Sequence, residues 1–289
     1  MANRLSLAVA KNLLLKTTTN SGAALRTFSS PAKKPISYNL EKKVAIVTAS
    51  TDGIGLSIAQ RLAQSGASVV VSSRKQANVD RTVADLRKEG LSVEGIVCHV
   101  GKDADRKALV NFTLEKFGGI DIFVSNAAVN PGVGMILETE EEVWDKIFDI
   151  NVKAAMLLTK EIVPHMEKRE GTKAIVYNAS IGAYQIFPVL STYSVSKTAL
   201  LGLTKAVAAQ CAPLNIRVNA VCPGVVQTKF ASAITTNPEA AEEALRPMLM
   251  KRLGVPDDIG GVVTFLCSDD ASYMTGESIV AAGGLFSRL

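Results

Sequence analysis

The run Tyr193-Ser194-Val195-Ser196-Lys197 sets a phenol and an amine four residues apart. On a helix that spacing puts them one turn apart on a single face. A free tyrosine titrates at about pH 10 and is a poor acid or base at neutrality. A neighbouring ammonium favours the phenolate, so the pair is expected to lower the phenol's pKa. Such a phenol can give a proton to a carbonyl oxygen as hydride arrives at the carbon, or take one from an alcohol. Tyr-x-x-x-Lys alone is a weak signal, since most instances are surface helix pairs. Its neighbours give it weight. Ser180 lies 13 residues earlier, just after the apolar run Ala174-Ile175-Val176-Tyr177, and its hydroxyl can hydrogen-bond the same carbonyl oxygen. Asn151, in Asp149-Ile150-Asn151-Val152-Lys153, falls inside a long helical pattern, where a buried amide needs partners.

A second group of residues could hold phosphate. Ala49-Ser50-Thr51-Asp52-Gly53-Ile54-Gly55 follows the apolar Val44-Ala45-Ile46-Val47 and opens a helical pattern. A strand-to-helix turn of this kind points backbone N–H groups and the positive helix end at an anion. Glycine serves there where φ is positive or where a side chain would block the ligand. Gly53 and Gly55 fit, and Ala49 stands where a dinucleotide turn has its first glycine. A negative φ at Ala49 would tolerate the methyl, whereas a positive φ would cost on the order of 1 kcal/mol. At the end of the second apolar run, Ser73 and Arg74 replace the acid that would bind a ribose 2′-hydroxyl. A hydroxyl and a guanidinium suit a 2′-phosphate instead, which favours NADP(H).

The elements that must position these groups alternate. Apolar, β-branched runs lie at Val44–Val47, Ser68–Val71, Val93–His99, Ile120–Val124, Ala174–Tyr177, Arg217–Val221 and Ser278–Ala281. Helical patterns lie near Gly55–Ser65, Asn78–Glu89, Asp103–Phe117, Glu140–Lys168, Thr192–Ala212 and Asp257–Cys267. Strands apolar on both faces, separated by helices, predict an α/β fold. It is a Rossmann-type doubly wound parallel sheet of about seven strands with helices on both faces, in a single domain over 40–289. Gly224–Arg252 is irregular, follows a strand end, and reads as a substrate lid near 225–252 with a short helical segment after Pro238.

Composition excludes several classes. The formal net charge of +5 arises from residues 1–40, which hold six basic side chains and no acid; beyond them 26 basic face 27 acidic groups. A nucleic-acid footprint is therefore not expected. No run of apolar residues is long enough for a membrane span. The four cysteines and two histidines form no ligand spacing, so no metal is expected. The leader 1–39 is basic, acid-free and rich in Ser and Thr, as in a mitochondrial presequence. An unstructured basic tail is the alternative. The other end, Ser287-Arg288-Leu289, resembles the Ser-Lys-Leu address read by the peroxisomal import receptor. The two ends carry competing addresses, peroxisome and mitochondrion.

Taken together, Ala49-x-x-x-Gly53-Ile54-Gly55, Ser125-Asn126-Ala127-Ala128, Asn151, Ser180, Tyr193-x-x-x-Lys197 and Pro223-Gly224-x-x-x-Thr228 resemble the short-chain dehydrogenases/reductases in order and spacing over about residues 40–289. Ser72–Gln76, Val97–Lys102, Ser196–Thr204 and the Ser-Arg-Leu end further resemble NADP-dependent carbonyl and retinal reductases of peroxisomes within that family. The resemblance implies Tyr193 as general acid/base, with Lys197 lowering its pKa and binding the nicotinamide ribose. It implies Ser180 as the group positioning the carbonyl, and Asn151 as the holder of a water that links Lys197 to solvent. Asn126 would support the sheet and the cofactor, and Val226 and Thr228 would meet the carboxamide. The implied cofactor contacts also include Ala127, Ala128, Pro223, Gly224 and the backbone of Val100. Three departures bear on cofactor placement: Ala49, Ala128, and His99 where many members carry Asp. A homotetramer paired through the helices bearing Asn151 and Tyr193 is implied as well. The expected activity is reduction of apolar ketones or aldehydes, retinal or α-dicarbonyls included, reversible as alcohol dehydrogenation. The alternatives are a mitochondrial 3-oxoacyl-carrier-protein reductase and a catalytically idle NADP-binding scaffold.

Overall fold

The computed structural model describes residues 38–285. The leader up to residue 37 and Ser287-Arg288-Leu289 lie outside them. The elements run β1 (Val44–Val47), α1 (Gly53–Gln64), β2 (Ser68–Ser73), α2 (Gln76–Lys88), β3 (Val93–Val97), α3 (Asp103–Phe117) and β4 (Ile122–Ser125). They continue with α4 (Glu141–Phe148), α5 (Ala154–Glu167), β5 (Lys173–Asn178), α6 (Ser191–Cys211), β6 (Ile216–Pro223), α7 (Ser232–Thr235), α8 (Pro238–Leu245), α9 (Pro256–Cys267) and β7 (Ser278–Ala281).

All seven strands are parallel, in the order β3-β2-β1-β4-β5-β6-β7. The register is in phase along the centre, with Val47 opposite Val71 on one side and Val124 on the other. Two apolar layers sandwich the sheet. Ile46, Phe123, Ile175 and Val218 face Leu109, Leu158, Ile162 and Leu200. Ala45, Val47, Val69 and Val124 face Ile58, Leu62, Ile259 and Val263. Successive residues of β1 thus serve opposite layers, which is why its sequence is apolar without alternation. Glycine sets two of the closest approaches. A Cβ at Gly95 of β3 would lie 2.5 Å from Val79 of α2, and one at Gly260 of α9 would lie 2.5 Å from the Ser57 hydroxyl of α1.

The order of connection reverses between β1 and β4. Chains leaving those two carboxyl ends diverge, and the crevice between them is where such sheets bind ligands. Expected bounds change in detail: β3 stops at Val97 rather than His99, and β2 runs on to Ser73. The pattern over 140–168 forms two helices, because a π-helical turn, Asp149–Lys153, separates α4 from α5. The turn carries Asn151, and π turns often mark functional positions.

Candidate active site

Three polar side chains tie the strand ends together at the crevice. Thr48, directly after β1, accepts on Oγ1 from the backbone N–H groups of Asn126 and Ala127, at 3.0 and 3.1 Å. Asn126, after β4, donates through Nδ2 to the carbonyls of Thr48 and Ala49, both at 3.0 Å. Asn178, at the end of β5, donates to Asn126 Oδ1 at 2.7 Å. Three neighbouring strands thereby share one hydrogen-bond network, which fixes the crevice floor.

The phosphate turn leaves β1 on this floor. Gly53 adopts φ +54° and Ala49 φ +51°. Ala49 therefore sits in the left-handed region, the costly case, at about 1–2 kcal/mol. Ser50 Oγ accepts from the Ser72 N–H at 3.0 Å and donates to the Val47 carbonyl at 2.6 Å, pinning the turn to β2. Asp52 caps α1, its Oδ1 accepting from Gly53 N–H at 2.8 Å. Gly55 lets the turn meet β4, since a Cβ there would lie 2.4 Å from Asn126 Nδ2 and 2.5 Å from the Ala49 carbonyl. Ile54 is partly buried, and Thr51 is buried beneath the turn.

The catalytic candidates converge from α6, the end of β5 and the π turn. Lys197 is buried and donates to the Asn178 carbonyl at 2.7 Å, with Nζ 5.5 Å from the centre of the Tyr193 ring. Ser180 begins the short turn after β5, its hydroxyl accepting from Gly182 N–H at 3.0 Å. Thr198 of α6 donates to the Ala183 carbonyl at 2.9 Å and so holds that turn against the helix. The Asn151 amide makes three of its four possible hydrogen bonds within the chain. Its Oδ1 accepts from Val129 N–H at 2.8 Å, and its Nδ2 donates to the Val129 carbonyl at 3.1 Å and to Ser196 Oγ at 3.0 Å. Ser196 passes the link on, donating to the Tyr193 carbonyl at 2.6 Å.

Electrostatics depart from the sequence expectation. Burial pushes the Tyr193 phenol up to about 12, a hydrogen bond with Ser180 offsetting part of the rise. Burial likewise lowers Lys197 to about 8. Desolvation of the phenol, rather than the Lys197 ammonium, sets the direction of its shift. Ser180, Tyr193 and Lys197 form one cluster, and its phenol is held protonated at neutral pH.

The segment after β6 closes over both groups. Gly224 N–H donates to the Ala281 carbonyl at 3.0 Å, next to Pro223, and Val226 is buried and bridged to Gly254. A Cβ at Gly53 would lie 3.1 Å from the Thr228 γ-methyl. Lys229 pairs with Asp52 at 2.5 Å. The Phe230 ring lies 5.8 Å from that of Tyr193, tilted by 43°. Beside Tyr193 is a pocket of about 120 Å³, lined by Asn130, Gly134, Glu138, Val143, Val189 and Tyr193.

The far end of the crevice holds the remaining sequence candidates. Ser73 is half-buried and Arg74 exposed at the end of β2, with no acid there. Val100 is buried, its carbonyl accepting from Arg106 at 2.9 Å, and His99 caps the Gly101 N–H through Nδ1 at 3.1 Å. Ala127 and Ala128 are partly buried at the mouth. A nicotinamide dinucleotide fits these residues: a glycine turn at a helix N-terminus, an acid-free β2 end, and a phenol–amine–hydroxyl cluster at the opposite end. The sequence reading gives no role to Thr48, Asn178 or Ser196. Asn178 carried a faint signal, two residues before Ser180. Among the described residues there is no group of three or more His, Cys, Asp or Glu placed to hold a metal, and no helix is long and apolar enough to cross a membrane.

Known proteins resemble this chain in sequence and fold. A family model described as enoyl-(acyl carrier protein) reductase matches residues 48–286. Dehydrogenase/reductase SDR family member 4 of Sus scrofa is 58% identical over 250 residues, covering 86% of this chain and 89% of the relative. The protein of the same name from Homo sapiens is 57% identical, covering 86% and 90%. Among solved structures, a candidate short-chain alcohol dehydrogenase from Sinorhizobium meliloti 1021 has a TM-score of 0.82 at 34% identity, covering 88% of this chain and all of its own. The crevice, its cluster and these likenesses agree: the chain belongs to the short-chain dehydrogenase/reductase family, oxidoreductases that use a nicotinamide cofactor.

Proposed function

We propose that the chain is an NADPH-dependent reductase of apolar ketones and aldehydes, reversible as an alcohol dehydrogenase. The observation that carries this reading is the joint placement of Ser180, Tyr193 and Lys197 at one end of a crevice whose other end, Ser73-Arg74, lacks an acid. The 2′-phosphate would meet Ser73 and Arg74, and the pyrophosphate would meet the turn 50–55. Lys197 and Thr228 would hold the nicotinamide end. When bound, the cofactor supplies the hydride.

The chain's own residues handle the proton. Ser180 and Tyr193 hold the carbonyl oxygen, and Tyr193 gives it the phenolic proton as the carbon is reduced, which yields the alcohol. A phenol is protonated at neutral pH, so Tyr193 holds the proton that the reductive direction needs. Lys197 resupplies it, and Asn151 extends the relay toward solvent. Ser196 fixes the Tyr193 backbone at the base of the relay. The segment 225–252 serves as the substrate lid, with Phe230 supplying an apolar wall beside the phenol.

The relatives' name supports a redox reaction on a carbonyl–alcohol or similar pair without naming the substrate, and the family description raises the carrier-protein alternative. An acidic carrier would need unpaired cations beside the site. Lys229 is paired with Asp52 and Arg252 with Asp258, and exposed Glu239, Glu242 and Glu243 offset the remaining lid cations, Arg246 and Lys251. That favours a small substrate. The complete Ser180–Tyr193–Lys197 cluster weighs against an idle scaffold. Exposed Trp144, Met156 and Val195 on α4, α5 and α6 support the homotetramer. The two terminal addresses are retained as proposals, peroxisome through Ser287-Arg288-Leu289 and mitochondrion through the leader; tagging each end separately tests them.

The test is a panel of carbonyls and alcohols offered with both nicotinamide cofactors. NADPH consumption with apolar ketones, well above that with NADH, is expected. Consumption confined to carrier-linked 3-oxoacyl substrates would move the function to the alternative, and none at all would leave the scaffold.

A further inference from the structure

Lys229 belongs to no motif of the chain, yet it links the two ends of the crevice's front wall. Its ammonium lies 2.5 Å from Asp52 Oδ2, while Asp52 Oδ1 caps the helix on which the phosphate turn is built. The neighbours of Lys229 are committed on both sides. Thr228 packs its methyl against Gly53, and Phe230 packs its ring against Tyr193. The side chain of Lys229 is 84% exposed. An ammonium carries three donors, and Asp52 uses one of them.

Asp52 poses a physical problem for the turn. Its carboxylate sits at the N-terminus of α1, where the cofactor's phosphates must come, and like charges repel there. Lys229 is the cation placed to offset it. We infer that Lys229 is a positioning residue for the cofactor pyrophosphate, supplied by the lid and set beside Asp52, whose charge it offsets. The inference rests on the nicotinamide-cofactor reading but not on the choice of NADPH over NADH, since both carry the pyrophosphate. The lid residue that would meet the phosphates stands between the one on the turn and the one beside the phenol.

The test is equilibrium binding to the full-length chain, followed by protein or dinucleotide fluorescence. Lys229→Met is expected to weaken NADPH and NADH alike, by roughly three- to tenfold, as for loss of one partly solvated charge-assisted contact. It should also reduce the salt dependence of binding. Lys229→Arg should restore most of the affinity. Adenosine 2′-monophosphate, which has no pyrophosphate, should bind wild type and Lys229→Met equally. Asp52→Asn, which keeps a good helix cap, should bind NADPH at least as tightly as wild type. Unchanged dinucleotide affinity in Lys229→Met would overturn the inference. Equal loss of the monophosphate would do so too, by pointing to a general defect, and so would a weakened Asp52→Asn, because removing a repelling carboxylate cannot cost affinity on this account. A wild type that prefers NADH would refute the NADPH reading and leave the Lys229 comparison intact.

Discussion

Gly55→Ala puts the central packing argument at risk most sharply. A Cβ at Gly55 would lie 2.4 Å from Asn126 Nδ2 and 2.5 Å from the Ala49 carbonyl. No flexible side-chain end is available to yield on the carbonyl side. The contact would displace Asn126, which holds the Thr48 and Ala49 carbonyls at 3.0 Å each. Two lost hydrogen bonds cost about 1 kcal/mol apiece, and overpacking adds about 1–3 kcal/mol. Gly→Ala inside a helix returns about 1 kcal/mol. The net is a loss of about 2–4 kcal/mol. For a domain of this size that lowers Tm by roughly 5–15 °C. Thermal unfolding followed by circular dichroism reads it, with Gly261→Ala on α9 as control. There the new Cβ would meet only the Arg61 guanidinium, at 3.9 Å, and stability should hold or rise. A Gly55→Ala protein that melts with or above wild type would refute the close approach of turn and β4.

Ala49→Gly should raise Tm slightly, because relief of the left-handed strain, about 1–2 kcal/mol, exceeds the entropy added to the unfolded chain, about 0.4–1 kcal/mol; a fall in Tm would contradict φ +51° at that position. Lys197 should make stability rise with pH between about 8 and 10.5, because there the unfolded chain holds the proton that the folded one has lost. Wild-type stability measured against Lys197→Met should therefore climb over that window, and a flat difference would contradict burial of the amine. The phenol of Tyr193, raised to about 12, should give no phenolate absorbance below pH 10 in the cofactor-free enzyme; a wild-type minus Tyr193→Phe difference spectrum showing one near neutrality would refute it. The four cysteines, all buried and with Cys98 and Cys267 raised to about 12, should react slowly with a disulfide reagent until the chain is unfolded.

Much of the fold is legible in the sequence because strands covered on both faces must be apolar throughout. Val44–Val47 and Ala174–Tyr177 are such runs, and the helices between them dictate parallel pairing. Strand β3 ends at Val97 rather than His99 because Cys98 turns away after its N–H bonds the Ser73 carbonyl. The π turn at Asn151 left no periodic trace, since one extra residue in a helix hardly shifts the pattern. Tyr193, Lys197 and Ser180 stand out through spacing and residue type. Thr48, Asn178 and Ser196 do not, because they act on backbone groups brought together only by folding. The sign of the Tyr193 shift was missed for a related reason: spacing reveals the nearby ammonium, while desolvation depends on everything packed around the pair. Ala49 shows what a motif position conceals, since its methyl is readable and its φ is not.

The most direct measurement is the fate of hydride and proton in a single reaction. Full-length wild type and Tyr193→Phe are each given NADPH deuterated at the transferable C4 position with an apolar ketone, and the alcohol is analysed by mass spectrometry. The account predicts one carbon-bound deuterium per alcohol from wild type. It predicts little or no alcohol from Tyr193→Phe, with NADPH binding retained. Labelled alcohol formed equally well by Tyr193→Phe, or none formed by wild type across the panel, would contradict it.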